Sequence, residues 1–265
     1  MRNQLPLVTR ALGESWRGLI AWAVGVVAVL VLYLPLYPSI GGSRELQGIL
    51  DSLPPELIAA LGYDQISTGA GYTQSTFFGL VGFVVLVVAA TAWGSSLIAG
   101  DWESGRLELD LAHGVGRVRV VLEAALTVLV KLVLLLAITV AVILVLDEPF
   151  ELEIETGNLL AAAVGTTGLA YLSAAVALLV GAVTGRRSLA ATGGALIAAI
   201  GYVMQALAKQ SADLEWLGAW SPYLWVNDPV PLIDGWNSIG FAKVWGLGLL
   251  FVAGAALVLR RRDIT

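Results

Sequence analysis

The stretch Leu97-Ile-Ala-Gly-Asp-Trp-Glu-Ser-Gly-Arg-Leu-Glu-Leu-Asp-Leu-Ala-His-Gly-Val-Gly-Arg-Val-Arg119 decides how the rest of the chain is read. It lies between two long apolar runs and crowds acids, bases and glycines together in mid-chain. Asp101 suits a helix N-cap, and Glu103 falls in the first turn, where free N–H groups favour a carboxylate. Arg106 and Asp110 are four apart, a spacing that pairs them on one helical face. Gly114 and Gly116 then supply a stop. The spacing predicts a short charged helix at a membrane surface, held between two spanning segments.

The flanking runs set the class. The chain has 265 residues, of which 58% are hydrophobic and 13% charged, and its mean hydropathy is +0.83. Several apolar runs reach the roughly 20 residues that cross a bilayer core. The chain therefore reads as one polytopic membrane domain, residues 1–265, all-α. It has no cysteine, which excludes disulfides and thiol-ligated metals. The net charge of −5 does not point to nucleic acid, because the charges are segregated by loop. Met1-Arg-Asn-Gln lacks the pattern of a cleaved signal peptide, so the first helix is read as an uncleaved anchor.

Working outward, residues 1–17 mix Leu5, Leu7, Val8, Leu12 and Trp16 with Arg10, Glu14 and Arg17, which suits an amphipathic helix lying on the inner face. Spanning helices are expected over residues 18–37, 73–98, 120–146, 159–184, 189–207 and 241–259, with the charged loop at 99–119. Short interfacial helices broken at Pro54-Pro55 are expected between residues 43 and 61. An acidic strip, Asp147, Glu148, Glu151, Glu153 and Glu155, follows the third span. A second extramembrane segment, 208–240, carries Trp216, Trp220, Trp225 and Trp236.

Six spans put both termini on one side, and the Lys/Arg distribution says which. That side holds Arg2, Arg10, Arg17, Arg106, Arg117, Arg119, Arg186, Arg187, Arg260, Arg261 and Arg262; the other has Arg44, Lys209 and Lys243. Eleven against three predicts cytoplasmic termini and a cytoplasmic 99–119 loop.

The loop also resembles the one after the second membrane helix of ABC-2 type transporter permeases. Gly105, Leu107, Glu108, Leu109, Leu111, Ala112 and Arg117 match the family pattern. Arg106 stands for the usual Thr, Asp110 for an apolar residue, and Gly114-Val-Gly116 for Pro-x-Ser. Trp22-Ala-Val-Gly25, Tyr37-Pro-Ser39, Ser221-Pro222, Asp228-Pro229 and Arg261-Arg-Asp-Ile264 are similar to further family features. The resemblance implies a type V exporter-like permease fold in the cell membrane, as in a bacterial cytoplasmic membrane. It implies that the loop is a coupling helix docking on a separate ABC ATPase, two copies of which would bind ATP and Mg beneath a permease homodimer or heterodimer. The docking set is then Asp101, Trp102, Glu103, Gly105, Arg106, Leu107, Glu108, Leu111 and Arg117. The chain itself would bind no cofactor.

Little supports an enzyme. His113 is the single histidine, and no His-Glu-x-x-His zinc pattern exists. Gly181-Ala-Val-Thr-Gly-Arg-Arg-Ser188 departs from a phosphate loop in spacing and puts Arg where Lys is needed. The bland reading of 99–119 is a solvated connector, yet its Asp101, Glu103, Glu108 and Asp110 are not what positive-inside bias alone requires. Lys131, inside a span, either lines a transport path or snorkels, meets a carbonyl or pairs with a neighbouring chain. Ala161, Gly165, Ser173, Ala177, Gly181 and Gly185, with Ala190, Gly194 and Ala198, read as close helix packing. The outer tryptophans read as interfacial anchors before a substrate gate. A secondary transporter or a non-transporting scaffold are the competing functions; the first calls for ionisable residues at mid-membrane and broken helices in corresponding halves, the second for no ATPase stimulation.

Overall fold

A backbone removed from water must satisfy its own N–H and C=O groups, so each apolar run closes into a helix. The computed structural model describes residues 5–40, 52, 54 and 66–262, and all structural statements concern these. Six helices among them are long and apolar enough to cross a membrane. In chain order the elements are α1 (Pro6–Tyr33), α2 (Gly69–Glu103), the short α3 (Arg106–Ala112), α4 (Arg117–Asp147), α5 (Thr156–Thr184), α6 (Arg187–Gln210) and α7 (Ser238–Arg261). Within α2 the turns widen to π-helix over Gln74–Val81 and Ser96–Gly100. The interfacial helices expected between 43 and 61 fall outside the described residues, Ser52 and Pro54 apart, as do Asp263 and Ile264.

The bundle is built around α5, which packs on α2, α4, α6 and α7. Its small side chains make this possible. A Cβ on Gly165 would stand 2.6 Å from Val226, and one on Gly168 would stand 2.9 Å from the Trp245 indole nitrogen. Across the same helix, a Cβ on Gly94 of α2 would meet the Ala174 carbonyl oxygen at 2.7 Å, and one on Gly194 of α6 the Ser173 carbonyl oxygen at 2.6 Å. Without a hydrophobic drive between helices in lipid, such close approach is what holds them together.

The separate amphipathic helix expected over residues 1–17 is corrected by the structure: residues 6–17 are the opening turns of one continuous α1. Nothing between Leu7 and Tyr33 forces a break. The N-terminal turn is instead held by α4, where Glu123 is 2% exposed and accepts hydrogen bonds from the Leu7 and Val8 backbone N–H groups at 2.8 and 3.1 Å. A carboxylate on the free donors of a first helical turn is favoured by both hydrogen bonding and the helix dipole. Arg119 donates to the same carboxylate at 2.6 Å. Arg10 and Glu14 consequently turn toward the 99–119 loop.

Both described ends of the chain lie at the end of the bundle that carries this loop, since Leu7 meets Glu123 and Arg117 donates to the Arg262 carbonyl oxygen at 2.6 Å. At the opposite end, short turns over Ala212–Trp220, Pro222–Asn227 and Pro231–Asp234 join α6 to α7. Ser221 caps the second turn by accepting from Leu224 N–H and donates to the Gly201 carbonyl oxygen. Asn237 caps α7 through Gly240 N–H and donates to the carbonyl oxygens of Trp225 and Asp228. Trp216, Trp220 and Trp236 remain exposed.

Candidate functional site

The 99–119 loop begins as the last turn of α2, which carries straight through Gly100 into Asp101–Glu103. Asp101 is therefore not the N-cap expected from the sequence, because the residue before it is already helical. The break comes at Gly105, whose φ of +73° is the left-handed region that favours glycine. It turns the chain into α3, which ends at His113 and Gly114. The His113 ring nitrogen Nδ1 lies 2.6 Å from the Leu109 carbonyl oxygen, a helix-end contact.

One face of α3 is anchored. Leu107 is 1% exposed and belongs to the main apolar core; burying such a side chain contributes about 2 kcal/mol. Leu111 packs against the same core. Asp110 accepts two parallel bonds from the Arg10 guanidinium of α1, at 2.7 and 2.8 Å. The sequence expectation that Arg106 pairs with Asp110 is thus corrected. Arg106 instead reaches Asp101 at 3.2 Å and Glu14 at 3.5 Å. The reason is geometric: Asp110 faces α1, where the planar guanidinium of Arg10 matches a carboxylate bidentately. Arg10 also lies 3.9 Å from Glu14 and 4.0 Å from Asp101, so five charges form one cluster across α1, α2 and α3.

The remaining loop residues reach the other helices. Glu103 accepts the Arg187 N–H at 2.8 Å, placing a negative charge on the first turn of α6. Trp102 packs on Gly185 at the end of α5, and the Arg262 guanidinium lies over its ring at 4.3 Å. Arg262 in turn donates to the Ala182 and Val183 carbonyl oxygens, at 2.9 and 2.7 Å, among the last carbonyls of α5, which have no partner within their own helix. Arg117 is tied to the last turn of α7 through the Arg260 and Arg262 carbonyl oxygens. Every spanning helix thus has a contact with this loop.

The other face of α3 is open: Glu108, Leu109, Ala112 and His113 are exposed, Leu109 by 61%. Of the residues singled out from the sequence, Trp102, Glu103, Arg106, Leu107, Leu111 and Arg117 hold the loop in place, Gly105 bends it, Asp101 joins the charge cluster, and Glu108 faces outward. Sequence reasoning passed over Arg10, Glu14, Glu123 and Arg262 as members of the site. The available signal was the surplus of carboxylates in the loop, which called for cations from elsewhere.

Lys131 sits apart from these residues, in the middle of α4. It is 2% exposed, and its ammonium lies 5.1 Å from the centre of the Trp93 ring. Trp93 is held edge-on by Trp22 of α1, with the ring centroids 6.5 Å apart.

The family model for ABC-2 family transporter protein matches residues 6–222, a range that takes in α1 through α6 and the whole 99–119 loop. No curated protein matches the chain.

Proposed function

From a chain that belongs to the ABC-2 family of transporter proteins, we propose the permease subunit of an ATP-driven exporter that borrows its energy through α3. The chain is a multi-pass membrane transport component, not itself catalytic. ATP and Mg are assigned to a separate ABC ATPase, in two copies beneath a permease dimer, with the α3 end of the bundle in the cytoplasm, as the arginine distribution favours. The membrane in question is the cell membrane.

The observation that carries this reading is the two-faced character of α3. Its inner face is fixed by Leu107 and Asp110, and its flanks are tied to α1, α5, α6 and α7. Its outer face presents Glu108 and Leu109, both exposed. A push on that outer face from closing ATPase subunits would be passed to every spanning helix, with α2 and α4 as the rigid levers. Lys131 is assigned to the transport path.

The test is affinity purification of the chain with its ATPase, comparing wild type with the double substitution Glu108→Arg and Leu109→Asp. The proposal expects the ATPase to be lost while the permease keeps its thermal stability, since neither side chain supports the fold. Undiminished assembly and transport-stimulated ATP hydrolysis in the double variant would overturn α3 as the docking element, and a wild-type chain that stimulates no ATP hydrolysis would favour a non-transporting scaffold.

A further inference from the structure

A cavity of about 200 Å³ opens between α1, α2, α3 and α4 beside the charge cluster. Its mouth carries Arg10, Glu14 and Arg106, whose side chains are 38%, 56% and 54% exposed. Its inner wall carries Lys131, fourteen residues and so about 21 Å along α4 from Arg117. The carboxylates at the mouth each have a guanidinium partner: Asp110 has Arg10, and Asp101 and Glu14 have Arg106. Lys131 has none. Among the described residues no hydrogen bond or carboxylate reaches its ammonium, which lies over the Trp93 ring face.

A buried ammonium with no counter-charge is costly in a membrane segment and marks a place where an anion or water is received. The space has room for about six or seven water volumes, which fits a carboxylate or phosphate ester and excludes a whole lipid. Leu7, Ala11 and Leu97 give the wall apolar patches, and Ser15, Ser96 and Thr127 give it hydroxyls. A ligand with a small acidic head joined to an apolar body matches both features.

We propose that this cavity binds the acidic head group of an amphiphile, with Lys131 as its counter-charge. The head lies against the Lys131 ammonium and the Trp93 edge while the apolar body stays outside, along α1. The site stands on the permease chain alone and needs neither nucleotide nor the ATPase.

The test measures thermal stabilisation of the purified full chain in neutral detergent by three probes: dihexanoylphosphatidylglycerol, glycerol phosphate and dihexanoylphosphatidylcholine. A ligand that binds only the folded state raises the melting temperature in proportion to its affinity. The expected result is saturable stabilisation by the phosphatidylglycerol and none by the phosphatidylcholine. Lys131→Gln should weaken this binding by at least about tenfold, the usual loss for one charge-assisted contact, and Lys131→Arg should restore it. Ala124→Leu, which fills the cavity and leaves the charge, should also abolish it. Stabilisation by glycerol phosphate as strong as by phosphatidylglycerol would identify a free anion as the ligand in place of a membrane amphiphile and overturn the assignment to an amphiphile. Equal stabilisation of wild type, Lys131→Gln and Ala124→Leu, or none in any of them, would overturn the site altogether.

Discussion

The two ends of the bundle are held by different chemistry. At the α3 end, Arg10, Glu14, Asp101, Arg106 and Asp110 form a partly exposed ionic cluster that ties α1 to the loop. At the other end, Ser221 and Asn237 hold the turns between α6 and α7 by neutral hydrogen bonds to backbone groups. Neutral caps fix one geometry and are indifferent to ionic strength. Exposed ion pairs are individually weak and can be exchanged for others at small cost. In the coupling reading proposed above, the exchangeable ion pairs at the α3 end suit a part that receives a push, and the neutral caps suit a part that holds the frame.

Substitutions at the two ends should separate these roles. The largest effect is expected from Glu123→Ala, which strips the first turn of α1 of its acceptor and removes the carboxylate that Arg119 donates to; a loss of roughly 3 kcal/mol fits a buried charged group with several bonds. It should appear as a lower melting temperature and proteolysis near residue 10. Asn237→Ala comes next, at about 2 kcal/mol, for a lost helix cap and two further bonds; the gap between its melting temperature and that of wild type should not change with salt. Asp110→Asn should cost about 1 kcal/mol at low ionic strength, with the gap to wild type narrowing as salt rises from about 0.05 to 0.5 M. A salt-independent Asp110→Asn, or a salt-dependent Asn237→Ala, would break the contrast between the ends. The smallest effect belongs to Arg106→Gln, a few tenths of a kcal/mol, because its side chain is half exposed and its partners keep Arg10 nearby.

The spans were legible because each needs only a long apolar run, a property local in sequence. The charged loop was legible for the same reason: polar residues between two such runs have to sit at an interface. What was hidden depends on contacts between distant positions. Arg10 meets Asp110 across one hundred residues, and no periodicity encodes that choice. The nearer partner for Arg106, four residues away, lost to Asp101 and Glu14 because both oxygens of Asp110 are taken by the Arg10 guanidinium. Glu123 lies near the start of α4 in an otherwise apolar run, and only the approach of α1 gives it two backbone N–H groups to accept from. The small residues of α5 were readable as packing positions, though their neighbours, such as Val226 against Gly165, were not.

The central claim is that the open face of α3 receives an ATPase. The chain has no cysteine, so a single introduced thiol is a unique handle. Leu109→Cys carrying a photo-crosslinker should, on illumination of native membranes, give one covalent product that joins the permease to a chain with nucleotide-binding motifs, while Trp216→Cys at the opposite end should give none. The same ATPase product from Trp216→Cys and not from Leu109→Cys would contradict the account.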